Sequence, residues 1–164
     1  MKTIKAIPIT ETNFLPYGFV ADIANPGDAY SLGENPCVFH RDMVVMPEKD
    51  CTPPAFGSLK VDKRAMVIED VEFHSGCCEV MMPLDDDMVI YAGPASSDSV
   101  ELDKLEAFLV PKGCLVVLRA GSWHGAPFPV HVDGTVLICL PERTYFNDTK
   151  KYILKNEDYI SIEL

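Results

Sequence analysis

The chain has 164 residues, 48% of them hydrophobic, and a formal net charge of −11, values that indicate one soluble, folded domain spanning residues 1–164. An acidic chain without a run of Lys or Arg repels phosphate backbones and anionic membrane surfaces, so we expect no nucleic acid and no membrane as partner. Because the N-terminus has no long apolar stretch, we expect a cytoplasmic protein.

Short strands separated by turns dominate the predicted elements. A helix with a threonine cap is predicted first, over Thr10–Leu15. Segments that are β-branched or alternate in polarity then predict strands at Cys37–His40, Met43–Met46, Ala65–Ile68, Glu79–Met82, Met88–Tyr91, Cys114–Leu118 and Thr135–Leu140. Residues Leu105–Val110 fit either a helix or a strand, and we favour a strand. The pattern predicts an all-β fold, a closed barrel or a sandwich, with one or two short helices.

The sequence contains six cysteines, at positions 37, 51, 77, 78, 114 and 139. They form no CxxC pair, and in a cytoplasmic chain we expect them to be reduced. Core or surface thiols are therefore the interpretation we favour, ahead of a function for them.

Residues 113–128 resemble the second motif of the cupin superfamily. Gly113, Gly121 and His124 have the motif's spacing, whereas Arg119 stands where proline is usual and Phe128 where asparagine often stands. The resemblance implies a cupin-like antiparallel β-barrel, or jelly roll, with His124 pointing into its interior.

The first cupin motif is incomplete. His74 and Glu79 are present, but Gly76 occupies the position of the second histidine. The resemblance makes His74, Glu79 and His124 tentative metal ligands, one fewer than usual. We therefore expect no tightly bound cofactor and at most a weakly held divalent metal such as nickel or zinc.

A more specific resemblance covers nearly the whole chain. Segments 7–18, 71–84 and 105–108, followed by Ser122-Trp123-His124, are similar in order and separation to elements of the ureidoglycolate lyase family, also called ureidoglycolate hydrolase. The resemblance implies a carbon–nitrogen lyase of the amidine-lyase type, which releases urea and glyoxylate from ureidoglycolate in allantoin and purine-nitrogen breakdown. It also implies a homodimer, and Cys37 to Met46 reads as an apolar edge that needs cover.

The chain departs from this family at several polar positions. Leu118-Arg119 stands where a tyrosine–histidine pair is usual, Gly125-Ala126 replaces His-Pro, and Leu140-Pro141 replaces an acidic–basic pair. The fold is therefore expected to carry over better than the exact substrate.

We expect His74, His124 and Glu79 to be the catalytic residues. Histidine, with a pKa near neutral, suits the acid and base roles that the family's reaction requires. Because His74 and Glu79 are five residues apart, both can face the interior only if Ser75-Gly76 turns or bulges. A second option is that the same three residues bind a metal that acts as a Lewis acid, and the sequence does not choose between the two.

The expected substrate is a small molecule with a carboxylate. Arg119 and Lys60 are candidates to bind that carboxylate, with Arg64 a further basic residue, because arginine can contact it through two hydrogen bonds. Trp123 is expected to shape the wall of the site, and His40 is a further candidate for substrate binding. His131, beside a turn, is expected to be solvated.

Other functions on the same barrel remain open, because fold alone does not determine function. An isomerase or a metal-dependent oxygenase is one alternative, although the incomplete His-x-His motif disfavours the oxygenase. A non-catalytic ligand-binding or sensor protein is the other, although the chain lacks the helix-turn-helix reader that often accompanies such sensors.

Overall fold

The computed structural model describes residues 1–34, 37–46, 53–96 and 99–164. Two short helices are present, α1 (Glu11–Phe14) and α2 (Thr144–Asn147), with 3₁₀ turns at Leu102–Lys104 and Asn156–Asp158. The strands are β1 (Lys2–Pro8), β2 (Gly18–Asp22), β3 (Ser31–Glu34), β4 (Cys37–His40), β5 (Pro54–Val61), β6 (Val67–Ile68), β7 (Asp70–Phe73), β8 (Glu79–Pro83), β9 (Met88–Ala92), β10 (Glu106–Val110), β11 (Cys114–Leu118), β12 (Phe128–Pro129), β13 (Gly134–Pro141), β14 (Lys150–Ile153) and β15 (Ile160–Glu163).

Two curled sheets form a half-barrel, which confirms the predicted all-β class. The larger sheet has the order β12-β9-β10-β1-β15-β6, and the second has the order β2-β11-β8-β13-β5. Pairs β14-β7 and β3-β4 form separate two-stranded sheets. Most ladders are antiparallel, but β1 pairs in parallel with both β10 and β15. This arrangement was not predicted, because it joins the first strand to two strands distant in sequence.

Most of the predicted strands are present, and Leu105–Val110 is a strand from Glu106 onward. The prediction of a strand at Met43–Met46 is wrong, because this segment forms a bend and no ladder. Asp42, just before it, has φ 53 and turns the chain out of the extended region. Val45 in this segment is exposed and Met43 and Val44 are half-buried, so the apolar run forms neither a paired strand nor part of the buried core.

The predicted helix near the N-terminus is confirmed as α1. The Thr10 side chain accepts a hydrogen bond from the Asn13 backbone N–H, and the Asn13 side chain accepts one from the Thr10 backbone in return. This capping box satisfies helix donors that would otherwise lack partners. Phe14, at the end of the helix, is fully buried against Tyr17 and Phe108.

The register of the five-stranded sheet decides which side chains face the interior. Met81 pairs with Val116, and two residues back along β8, Glu79 pairs with Leu118. Since alternate residues of a strand share a face, Glu79 lies on the same inner face as the buried Met81 and Val116. The fold therefore places a carboxylate inside an otherwise apolar wall.

The cysteines for which side-chain burial is described, Cys77, Cys78, Cys114 and Cys139, are all buried. Burial and the nearby Asp22 raise the pKa of the Cys114 thiol to about 11, which keeps it protonated. Cys51 and the side chain of Cys37 lie outside the described residues.

Within the part of the chain that the structure describes, no helix has the length and apolar character needed to span a bilayer.

Candidate active site

Three buried side chains from the two cupin-like motifs meet at one carboxylate oxygen. Glu79 Oε2 lies 3.1 Å from His74 Nε2 and 2.9 Å from His124 Nε2. The two imidazole rings are 5.2 Å apart between centroids and inclined at 60°. Because the side chains of His74, Glu79 and His124 are only 5%, 7% and 3% exposed, water screens their charges little.

The chain brings His74 and Glu79 to the same side by interrupting the strand between them. Strand β7 ends at Phe73 and β8 begins at Glu79, and the intervening residues form bends. The turn at Ser75-Gly76 that the sequence required is therefore present.

His124 reaches the group from the second motif. Gly121 has φ 82, a left-handed conformation that glycine adopts readily in a tight turn. Its backbone N–H donates to the His74 carbonyl at 2.6 Å, and this hydrogen bond connects the second motif to the first. His124 then pairs with Glu72 through an isolated β-bridge, which fixes the backbone of the histidine against β7.

Hydrogen bonds to the main chain set the orientation of both histidine rings. His74 Nδ1 lies 2.9 Å from the Asp148 carbonyl oxygen, and His124 Nδ1 lies 2.8 Å from the Ser122 carbonyl oxygen. A carbonyl oxygen only accepts, so each Nδ1 carries the proton and donates it. Both Nε2 atoms are thereby directed at Glu79, in the orientation that a metal ligand or a proton-transfer group requires.

Burial and pairing act in opposite directions on the charges of the group. Burial alone would raise the pKa of Glu79, but the hydrogen bonds and charges of His124 and His74 outweigh it and lower that pKa to about 2. Burial alone would lower the pKa of His74, but Glu79 raises it overall. The group therefore favours a carboxylate next to a protonated imidazole.

The donor set fits a divalent metal ion. Two imidazole nitrogens and a carboxylate oxygen all lie within 4.8 Å of one another. Nitrogen and oxygen donors of this kind suit zinc, nickel and iron, and the two carbonyl partners on the Nδ1 atoms are typical of metal-binding histidines. Gly76 supplies no side chain at the fourth position, so these residues would hold an ion with an open coordination position.

The side chains of Trp123 and Arg119 form no hydrogen bond with the group among the described residues. Trp123 is 4% exposed, packs on Phe73 at a ring-centroid distance of 4.4 Å and donates from Nε1 to Ser96 Oγ. Arg119 comes directly after β11, and its guanidinium stacks over Phe19 at 4.3 Å. Within the described part of the chain, Arg119 Nε is buried and has no hydrogen-bond partner.

Lys60 lies apart from the group. Lys60, on β5, pairs with Thr135 of β13, and the next residue of β13, Val136, pairs with Pro83 at the C-terminal end of β8. Glu79 is at the N-terminal end of β8. Five residues of strand separate these positions, or about 17 Å. The structure therefore does not bring Lys60 together with the histidines.

The remaining polar candidates have partners elsewhere. His40 lies in the separate β3–β4 sheet, with Nδ1 3.3 Å from the Ala29 carbonyl oxygen. Arg64 stacks on Phe128 and donates to the Pro127 carbonyl over 3.1 Å. The His131 side chain is 66% exposed, as expected, but its Nδ1 also contacts Asp86 at 2.8 Å.

The sequence analysis missed the residues behind His74. Asp148 contacts His74 through its main-chain oxygen, and Thr149 Oγ1 lies 3.3 Å from His74 Nδ1. Both are more than seventy residues away along the chain, and a main-chain contact leaves no trace in the residue type. The Ser122 carbonyl on His124 was missed for the same reason.

Comparison with known proteins identifies the family of the chain. The family model described as ureidoglycolate lyase matches residues 1–161. The chain belongs to the ureidoglycolate lyase family. A curated "Putative ureidoglycolate lyase" of Agrobacterium fabrum (strain C58 / ATCC 33970) is 26% identical over 157 residues, covering 94% of this chain and 92% of that protein. Among solved structures, a dTDP sugar isomerase from Desulfovibrio desulfuricans G20 aligns with a TM-score of 0.49 and 9% identity, over 87% of this chain and 89% of the isomerase chain.

Proposed function

We propose that this member of the ureidoglycolate lyase family cleaves ureidoglycolate into urea and glyoxylate, as a carbon–nitrogen lyase of the amidine-lyase type. The observation that carries the proposal is the Glu79 carboxylate held between the Nε2 atoms of His74 and His124. This arrangement supports an acid and a base side by side in a water-poor site. Family membership supports the substrate class.

The reaction needs one proton removed and one proton delivered. The substrate carries a hydroxyl and a ureido nitrogen on the same carbon. Loss of the hydroxyl proton lets the C–O bond become the carbonyl of glyoxylate while the C–N bond breaks. The electron pair of that bond passes to the ureido nitrogen, which takes up a proton and leaves as urea. No water is consumed.

His74 and His124 divide these two tasks in our proposal. Glu79 favours a proton on His74 Nε2, as the raised pKa of that imidazole indicates, so His74 is the acid that protonates the leaving nitrogen. His124, with its Nδ1–H held by the Ser122 carbonyl, is the base for the hydroxyl proton, which Nε2 accepts once its unprotonated lone pair turns from Glu79 to the substrate. The negative charge of Glu79 offsets the positive charge of the protonated histidine, so the three-residue group is neutral overall both before and after the two proton transfers.

The carboxylate of the substrate requires a cation, and Arg119 is the better of the two basic candidates. Its buried Nε lacks a partner among the described residues, whereas Lys60 lies at the other end of the sheet. Its guanidinium stacks on Phe19, which pairs with Val117 and so lies on the opposite face of the sheet from Glu79, and the proposed role requires Arg119 to leave that position when substrate binds. Roles for Trp123 in shaping the site and for His40 in substrate binding stay predictions.

A divalent ion on His74, Glu79 and His124 would supply a Lewis acid that polarises the substrate hydroxyl. The donor set supports weak binding, since Gly76 contributes no ligand. We further propose a homodimer in the cytoplasm that acts in allantoin breakdown, on the resemblance to the family.

The proposal is tested by incubating purified protein with ureidoglycolate and following glyoxylate as its hydrazone. We expect release at a rate proportional to protein concentration, and strongly reduced release with His124→Ala. Turnover of ureidoglycolate at the spontaneous rate, with the protein folded and metal supplied, would favour the ligand-binding alternative.

A further inference from the structure

We propose that Asp148 is the positioning residue for His74, acting with its carboxylate on the first-motif turn and with its carbonyl on the imidazole. Its importance for turnover rests on the proposed function, but the positioning itself can be measured without an assay. Asp148 comes directly after α2, far from either cupin-like motif in sequence.

The Asp148 carboxylate binds the turn that directs His74 inward. Oδ1 accepts hydrogen bonds from Ser75 N at 2.9 Å and from Ser75 Oγ at 2.5 Å, and Oδ2 accepts one from Gly76 N at 2.7 Å. One side chain thus satisfies both main-chain donors of the bend between β7 and β8. Charged acceptors make such hydrogen bonds stronger than neutral ones.

The main chain of the same residue orients the ring. The Asp148 carbonyl accepts from His74 Nδ1 at 2.9 Å, so Nε2 is the atom that faces Glu79. Thr149 Oγ1 lies on the same nitrogen at 3.3 Å. A single short segment therefore determines both where the His74 backbone turns and which ring nitrogen points into the site.

Helix α2 holds this segment in place. Asp148 N and Thr149 Oγ1 both donate to the Thr144 carbonyl, at 2.8 Å and 3.1 Å. Thr144 Oγ1 in turn donates to the carbonyl of Pro141, the last residue of β13. The position of His74 is therefore linked to β13, which pairs with both β8 and β5, through the last turn of α2.

Gly76 fits this arrangement by leaving room for the carboxylate. A Cβ at residue 76 would lie 3.3 Å from Asp148 Oδ2, closer than a side-chain carbon usually comes. The position at which cupins usually carry a second histidine is here a turn residue bound by Asp148. The carboxylate acts on the turn rather than on the reacting atoms, so it positions His74 and is not itself catalytic.

The test compares Asp148→Ala and Asp148→Asn with Asp86→Ala. Asp86 is a matched control, because its buried carboxylate also accepts three hydrogen bonds, from His131 N, His131 Nδ1 and Val132 N, outside the catalytic group. NMR on ¹⁵N-histidine-labelled protein reports whether His74 Nδ1–H is protected from solvent exchange. Amide exchange reports the N–H groups of Ser75 and Gly76.

We expect Asp148→Ala to lose protection at the N–H groups of Ser75 and Gly76, whose acceptor it removes. It should also lose protection at His74 Nδ1–H, because the released turn no longer holds His74 against the main-chain carbonyl that the variant keeps. The kcat should fall about 10- to 100-fold, the usual scale for the residue behind a site histidine. Asp148→Asn keeps one acceptor oxygen, so its N–H protection and its kcat should lie between those of Asp148→Ala and wild type. Asp86→Ala should lower thermal stability while leaving His74 Nδ1–H protected and kcat unchanged.

Unchanged protection of His74 Nδ1–H in both Asp148 variants would overturn the proposal, as would an equal loss of kcat in the control. If Asp148→Ala does not fold, the Asp148→Asn variant still tests the proposal. The amide exchange rates of Ser75 and Gly76 in wild type test it as well, because rapid exchange of these N–H groups contradicts their hydrogen bonds to the carboxylate. Absence of lyase activity in wild type would refute the proposed function alone, because the NMR result does not depend on it.

Discussion

The hydroxyl of Tyr91 occupies the space where a side chain at Gly125 would begin. A Cβ built at Gly125 overlaps Tyr91 Oη and lies only 2.8 Å from Cζ. The hydroxyl reaches this position to donate to the Asp70 carbonyl at 2.9 Å, and the Tyr91 side chain is buried. Gly125, one of the departures from the usual family sequence, therefore leaves the space that the hydroxyl of Tyr91, on β9, occupies.

Gly125→Ala is therefore expected to destabilise the protein by about 2–3 kcal/mol, the scale of a steric insertion into a packed interior. In a Tyr91→Phe background the same substitution should cost less, because the overlapping oxygen is gone. Urea unfolding of the two single variants and the double variant measures this coupling. Additive effects in the double variant would show that the two residues do not compete for the space.

His74→Ala and His124→Ala are each expected to lower turnover of ureidoglycolate about a hundredfold or more, since each removes one proton-transfer group. Both should remain folded by circular dichroism. His131→Ala, whose ring lies on the surface against Asp86, should leave turnover unchanged. Wild-type turnover in both His74 and His124 variants would contradict the assignment.

Glu79→Gln is expected to reduce the stability of metal-free protein by about 3 kcal/mol near pH 5.5, because it breaks a buried charged pair. The pKa of Glu79 is lowered to about 2, so its contribution is present above the unfolded pKa near 4.5 and is lost as the pH falls towards 2. The pKa of His74 is raised, so its contribution is complete below the unfolded pKa near 6.5 and is lost as the pH rises through the folded pKa.

The stability difference between wild type and Glu79→Gln should therefore be largest between about pH 4.5 and 6.5 and shrink on both sides. Urea unfolding across a pH series, in the presence of a chelator, measures it. Glu101→Gln, which removes an exposed partner of Lys104, is the control and should show little effect at any pH. A difference that does not vary with pH would contradict this account of the charges.

Metal content after chelator dialysis is expected to be well below one equivalent, because Gly76 removes one ligand of the usual cupin set and three side chains converge among the described residues. Elemental analysis for zinc, nickel and iron measures it, and His124→Ala should lose whatever remains. A full equivalent retained by wild type would show that the three donors hold an ion more tightly than we propose.

The sequence predicted three strands of the five-stranded sheet, β8, β11 and β13, because segments such as Glu79–Met82 and Cys114–Leu118 are turn-bounded and rich in apolar residues. It missed the other two strands of that sheet, β2 and β5. Met43–Met46 has the same apolar character but follows Asp42 in the left-handed region, which composition does not reveal. The parallel pairing of β1 was hidden for another reason. Its partners β10 and β15 lie far along the chain, and strand patterns carry no information about which distant strands pair.

The residues of the candidate site also differ in whether the sequence could predict them. Motif spacing identified His74, Glu79 and His124, because each motif is local and carries its own residue types. Lys60 had the right charge, but only the β5–β13 register shows that it lies at the far end of the sheet. The main-chain contacts behind His74 and His124 come from carbonyls that every residue possesses, so no residue pattern reports them.

The central claim is tested most directly by the products formed from ureidoglycolate. We expect wild-type protein to release glyoxylate and urea in equal amounts, followed by ¹³C NMR of labelled substrate, with no ammonia. Glu79→Gln should release both much more slowly and in the same ratio. Release of ammonia in place of urea, or equal rates for wild type and Glu79→Gln, would contradict a lyase reaction at the His74–Glu79–His124 group.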